Sequence, residues 1–187
     1  MAKRKNPSSL KPVIKRTRQD ELVTALTCTE SVVEQAKPYL LAVAKLPVDV
    51  LIAAWKVGSN RQTDTRHVQS LYRIFKEQGL QREPDENHLR IACSQAEVDR
   101  MRDHVNSSGT LSGSQIPAYL AFDDWMEVNG TKVEVMAGQH RIEALKVFVS
   151  HLSSRSQGSL IEEEHLWWIC DIYDISKWIC GSISKHV

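Results

Sequence analysis

Residues 133–145 constrain this chain more than any other stretch. Val133-Glu134-Val135-Met136-Ala137 reads as a short strand, Gly138 ends it, and Gln139-His140-Arg141-Ile142-Glu143-Ala144-Leu145 continues as a helix. A strand that turns through one glycine into a helix exposes that helix's first N–H groups, which have no intrahelical acceptor and sit at the positive end of the macrodipole. A glycine lets an anionic ligand approach the backbone closely. The guanidinium of Arg141 can fork onto a phosphate or carboxylate. The segment therefore predicts an anion cradle.

The chain has 187 residues, 42% of them hydrophobic, enough for one domain with its own core. No apolar run approaches the roughly 18 residues that a membrane span needs. The start, Met1-Ala2-Lys3-Arg4-Lys5-Asn6-Pro7, is basic without a following apolar region, unlike a secretory signal. Cys28, Cys93, Cys170 and Cys180 are widely spread and form no Cys-x-x-Cys pair. They read as reduced thiols of an intracellular protein, with neither a zinc site nor a disulfide framework.

Charge is unevenly placed. Among the first twenty residues Lys3, Arg4, Lys5, Lys11, Lys15, Arg16 and Arg18 oppose only Asp20, a net of +6, which leaves −5 on the rest of a chain whose total is +1. An acidic body with a basic tail lacks the basic face of a globular nucleic-acid binder. Residues 1–19 are expected to be disordered. Their clusters Lys3–Lys5 and Lys15–Arg18 have two readings: a bipartite nuclear-import signal, or a solvated tail that touches nucleic acid non-specifically. Localisation is accordingly intracellular, with the nucleus or the cytoplasm open.

Four segments are expected: the tail 1–19, a helical region 20–45, a compact domain 46–175, and an extension 176–187. Ser31 and Glu34 suggest a capping box within the helical region, and Pro38 should break or restart it. Residues 48–55, with Val48, Val50 and Ile52, read as a strand. Val68, Leu71, Tyr72 and Phe75 predict an amphipathic helix over 65–78, capped by Asp64 or Thr65 and ended by Gly79. Residues 88–93 read as a strand, Ser94 and Glu97 as a capping box opening a helix to about His104, and 106–115 as a loop. Asn129-Gly130 between 125–128 and 131–135 predicts a β-hairpin with a type I′ turn. The helix after Gly138 should run to about His151, 152–160 is a Ser-rich loop, and 166–173 is a further strand. Helices and strands alternate, so the fold class is mixed α/β, a small sheet flanked by helices.

On Gly138-Gln139-His140-Arg141-Ile142-Glu143-Ala144 the chain resembles the nucleotide-binding motif of the ParB/sulfiredoxin superfamily. It is similar in particular to ParB-like domains of uncharacterised fungal proteins. The order of elements over roughly 46–175 agrees, and Asn60-Arg61 resembles the superfamily's Asn-x-Arg loop without its spacer residue. The resemblance implies that Gly138 is the turn glycine, that His140 and Arg141 contact phosphates beside Gln139, and that Asn60 and Arg61 assist. It also implies a nucleotide or phosphate ligand. The cofactor is then either a nucleoside triphosphate with Mg²⁺ or none, and no ligand cluster for a resident metal is visible in the sequence.

Departures from the superfamily narrow the function. Gln139 stands where sulfiredoxins carry the catalytic cysteine, and an amide cannot become a thiolate nucleophile. About 12 residues follow the last strand, too few for the DNA-reading helix-turn-helix module of partitioning proteins. Some superfamily members are free-serine kinases with a catalytic glutamate, but nothing local marks Glu143 as a base. Any catalysis would be phosphoryl transfer or nucleotide hydrolysis; the leaning is towards binding without catalysis. The alternative is an interaction module with a degenerate cradle, in which Gly138 is only a tight connection and His140 and Arg141 cap that turn or pair with Asp171 or Asp174. In that case the basic tail directs the protein to the nucleus or to nucleic acid.

Other features carry less. Trp167-Trp168 reads as core plus edge packing. Glu162-Glu163-Glu164 before His165 reads as a solvated acidic loop, and His67, His88 and His104 as surface or core histidines. Gly-x-Ser-x-Gly and Gly-x-x-x-x-Gly-Lys-Ser/Thr patterns are absent. Residues 176–187 have no clear periodic face and suggest a shortened form of a longer protein, which a mass-spectrometric read of the native C-terminus would test. Oligomeric state has no signature.

Overall fold

The protein was described from a computed structural model, in which residues 34–56, 60–108, 119–154 and 165–177 are described. The basic tail, Ser31, Cys28, Cys180, the acidic run 162–164 and the end of the chain lie outside these residues. The chain divides into two compact units, 1–38 and 39–187. Of the first, residues 34–38 are described, and there Lys37 Nζ donates to Glu34 Oε1 at 2.6 Å.

The second unit holds six strands and four α-helices among its described residues. They are β1 (Leu40–Pro47), β2 (Leu51–Ile52), α1 (Thr65–Gln78), β3 (Leu89–Cys93), α2 (Gln95–Ser107), β4 (Leu120–Ala121), α3 (Trp125–Asn129), β5 (Val133–Ala137), α4 (Gln139–Ser153) and β6 (Trp167–Asp174). Single 3₁₀ turns occupy Val48–Val50 and Asp85–Asn87. The sheet order is β2-β5-β3-β6-β1-β4. β6 runs antiparallel to β1 and parallel to β3, β3 antiparallel to β5, and the short outer strands parallel to their neighbours. The α/β class expected from the sequence is therefore the fold class observed.

Period-two alternation assigns the two faces of the sheet. Ala44 and Leu46 of β1, Leu89 and Ile91 of β3, Val133 and Val135 of β5, and Trp168, Cys170 and Ile172 of β6 all point into one core. Phe75 of α1 brings its ring 5.6 Å from Trp168 and 6.3 Å from Phe148 of α4, so both helices meet the sheet there. Trp168 is buried and its Nε1 donates to Asn87 O at 2.8 Å. That hydrogen bond satisfies the indole's single donor and ties the Asp85–Asn87 turn to the central strand. The other face carries Lys45, Arg90, Asp171 and Tyr173.

Local signals fared well at helix starts. Asp64 Oδ1 accepts from Arg66 N at 2.8 Å, and Gly79 closes α1 with φ +79°. Ser94 and Glu97 form a complete capping box, and α2 runs on to Ser107. Three expectations are corrected. Residues 40–45 are strand, not helix, and the sheet begins at Leu40, upstream of the boundary placed at 46. The strand expected over 48–55 is a 3₁₀ turn followed by the two residues of β2. The expected hairpin is instead α3 running into β5. Gly130 takes φ +67°, ψ +2° as the helix C-cap, and the same left-handed conformation would have served a type I′ turn.

No described helix is long and apolar enough to cross a membrane. Cys93 and Cys170 are buried free thiols, pushed well up from the ordinary thiol range by burial first and by nearby carboxylates second.

Candidate functional site

β5 delivers the chain to Gly138, and α4 begins at the next residue. Gly138 has φ +106°, a conformation that costs a side-chain-bearing residue on the order of 1–3 kcal/mol. An ideal Cβ placed there would lie 2.3 Å from Leu89 Cδ2. The missing Cβ therefore makes room for Leu89 of β3. No side chain caps this helix start, where Gly138 O accepts from Arg141 N at 2.9 Å and Ile142 N at 3.2 Å.

A cleft of about 600 Å³ opens against this turn. Its walls are the strand end Met136–Ala137, the turn Gly138–His140, and a segment of chain from Asn60 to His67. Three cross-links join the walls. Asn60 Nδ2 donates to Ala53 O at 2.7 Å and to Val135 O at 2.8 Å. The buried Gln139 amide donates to Arg61 O. His140 Nε2 accepts from Asp64 N at 3.0 Å, which places the ring proton of the neutral form on Nδ1. The His67 ring stands edge-on to His140 with centroids 4.9 Å apart.

Five of the six residues expected at the site, Asn60, Arg61, Gly138, Gln139 and His140, line this cleft. Arg141 does not. Its Nη2 donates to Glu86 O at 2.9 Å and to Asn87 Oδ1 at 3.2 Å, pinning the Asp85–Asn87 turn. Successive helix residues are about 100° apart, so residues 139, 140 and 141 cannot all aim into one cleft. Burial, then the charge of Arg90, lower the Arg141 pKa against the opposing effect of Glu86. The alternative partners Asp171 and Asp174 are engaged elsewhere. Asp171 Oδ1 lies 2.8 Å from His88 Nδ1, and Asp174 accepts from Ser176.

Arg61 supplies what Arg141 does not. It is exposed, lines the cleft, and its guanidinium has no hydrogen-bond or ion-pair partner among the described residues. Sequence reasoning ranked it low because its loop spacing departs from the motif. It missed Gln62 and read His67 as structural or surface; Asp64 and His67 share one side of the first turn of α1, and that spacing was the available signal. Asp64 is the one carboxylate on the lining, with Oδ1 committed to capping α1. Glu143 is off the lining and pairs with Lys146 at 3.0 Å. Among the described residues no group of three or more His, Cys, Asp or Glu side chains is disposed to hold a metal.

The class these features define is a small α/β domain with a polar cleft at a strand-glycine-helix junction. The chain belongs to the family described as protein of unknown function (DUF3723) N-terminal domain, whose model matches residues 41–186 and so takes in all of the sheet but Leu40. No curated protein and no solved structure shows significant similarity to it.

Proposed function

We propose that this is a ParB/sulfiredoxin-like domain that binds a phosphate-bearing ligand, a nucleotide, in the cleft between the Asn60–His67 segment and the start of α4. The observation that carries the reading is the Arg61 guanidinium, without a partner among the described residues, beside a helix start that no side chain caps. Helix N–H donors and a guanidinium together suit a phosphate oxygen. Gln139 hydrogen-bonds rather than reacts, so the reading is one of binding. Mg²⁺ would arrive with a nucleoside triphosphate and be held chiefly by its phosphates, since the lining offers Asp64 alone.

A second reading is favoured by the engagement of Arg141 with the Asp85–Asn87 turn and the filling of the Gly138 Cβ position by Leu89. Here the cradle is degenerate and the chain is an interaction module, nuclear or bound to nucleic acid through residues 1–19. Thermal denaturation with ATP, ADP, AMP and inorganic phosphate, each with and without Mg²⁺, separates the two. A ligand that binds only the native state raises Tm. The first reading expects such a rise, lost by about tenfold or more in affinity in Arg61→Ala. Arg141→Ala should lower Tm in the absence of ligand and leave affinity nearly intact. No rise with any of the four ligands removes the first reading. Salt-sensitive nucleic-acid binding that vanishes on deleting residues 1–19 supports the second.

A further inference from the structure

A second cleft, of about 760 Å³, shares no residue with the first and is lined by Arg82, Glu83, Tyr119 and Trp167 among others. Register puts Trp167 of β6 on the same sheet face as Lys45 of β1, opposite the helical core. The Arg82 guanidinium carbon lies over the Trp167 ring, 3.9 Å from its centroid, and 5.5 Å from the centroid of Trp168. Its Nη2 donates to His165 O at 2.7 Å. Its Nε is buried and has no hydrogen-bond partner among the described residues. No carboxylate lies within ion-pair distance of it among those residues; Lys45 is served by Asp123 at 3.7 Å. Burial alone holds the Arg82 pKa down to about 10, so the group stays cationic at neutral pH with no carboxylate beside it among the described residues.

A desolvated charge without a counter-ion is unfavourable, and two aromatic faces offset only part of that cost. We propose that this cleft binds a carboxylate monoanion, with the terminal Nη groups of Arg82 as its fork and the Trp167 ring as the fixed backing of that fork. Stacking of a nucleobase fits less well, because the Trp167 ring already carries the guanidinium at 3.9 Å and Lys45 Nζ at 4.9 Å. A phosphate dianion fits less well too, because Glu83 shares the lining and would repel the second charge. The carboxylate can belong to a small metabolite or to an acidic side chain of a peptide.

The test uses the full chain labelled with ¹⁵N, following the Arg82 Nε–H and Trp167 Nε1–H resonances. The probes are N-acetylalanine, a C-terminally amidated peptide carrying one glutamate, and inorganic phosphate. Saturable shifts of both resonances with either carboxylate are expected; the tighter of the two probes identifies the source. Arg82→Gln should weaken binding by about tenfold or more, and Arg82→Lys, which keeps charge without the fork, by less. Should Arg82→Gln fail to fold, Arg82→Lys carries the comparison. The proposal is overturned by unsaturable shifts with both carboxylates, or by phosphate binding as tightly as they do. A shift of Arg82 Nε–H on changing Glu162, Glu163 and Glu164 to Gln, with no carboxylate added, would make the counter-ion internal and overturn it as well.

Discussion

Two helices of this domain start one residue after a strand, and they start in opposite ways. α2 follows β3 through Ser94, whose Oγ accepts from Glu97 N at 3.3 Å while Glu97 Oε2 accepts from Ser94 N at 2.7 Å. α4 follows β5 through Gly138, which contributes no side-chain cap. At the first start the chain answers its own donors, so there is little left for a ligand. At the second no side chain answers them, and Gly138, Gln139 and His140 line a cleft. Whether a strand-to-helix junction can hold an anion thus depends on whether the junction residue brings its own acceptor.

The comparison breaks most easily at Gly138. Gly138→Ala meets both left-handed strain and Leu89 Cδ2 at 2.3 Å, and should lose about 3 kcal/mol in urea denaturation. Gly130→Ala, at φ +67° with no heavy atom within 4 Å of its Cβ, should lose only about 1–2 kcal/mol. Equal losses would mean that packing on Leu89 does not matter. On the open side, Asn60→Ala leaves Ala53 O and Val135 O without their donor and should cost about 2 kcal/mol by the same measurement.

Ser94→Ala should cost about 1 kcal/mol, whereas Ser94→Gly, which makes the closed start resemble the open one, should cost only a few tenths more than nothing. A Ser94→Gly variant as damaged as Ser94→Ala would show that the cap's geometry, not the exposed donors, sets the loss.

The smallest effect is one of pH. Asp174 pairs in register with Cys93, beside the closed start. Burial alone would raise its pKa, but hydrogen bonds from Ser176 and Lys177, with the Lys177 charge, bring it below the ordinary carboxylate value. A depressed folded pKa gives stability that is present above the unfolded value and is lost as pH falls through the folded one. Tm should therefore fall less between about pH 5 and acid in Asp174→Asn than in the parent. Parallel curves would remove Asp174 from the account.

Legibility followed distance along the chain. Asp64, Gly79, Ser94 with Glu97, and the strand-glycine-helix junction were readable because their partners lie within a few residues. Leu40–Pro47 was not, because Leu-Leu-Ala-Val-Ala-Lys-Leu suits either state and becomes strand by pairing with β6, far downstream. Asn129-Gly130 was ambiguous because hairpin turns and helix C-caps demand the same backbone. At the site, the motif located the turn and four of its cleft neighbours. It could not say that Arg141 rotates onto Glu86 and Asn87, which depends on where the Asp85–Asn87 turn comes to rest. Arg82 and Trp167 share no local signal at all.

One consequence of the strand order concerns time. No two neighbours in β2-β5-β3-β6-β1-β4 are consecutive in the chain, and β6, the last of the described strands, sits between β1 and β3. As the polypeptide leaves the ribosome, β1 and β3 are both present early with nothing between them. The sheet closes only when β6 emerges, so folding should be governed by long-range closure and run slower than that of a domain built from hairpins.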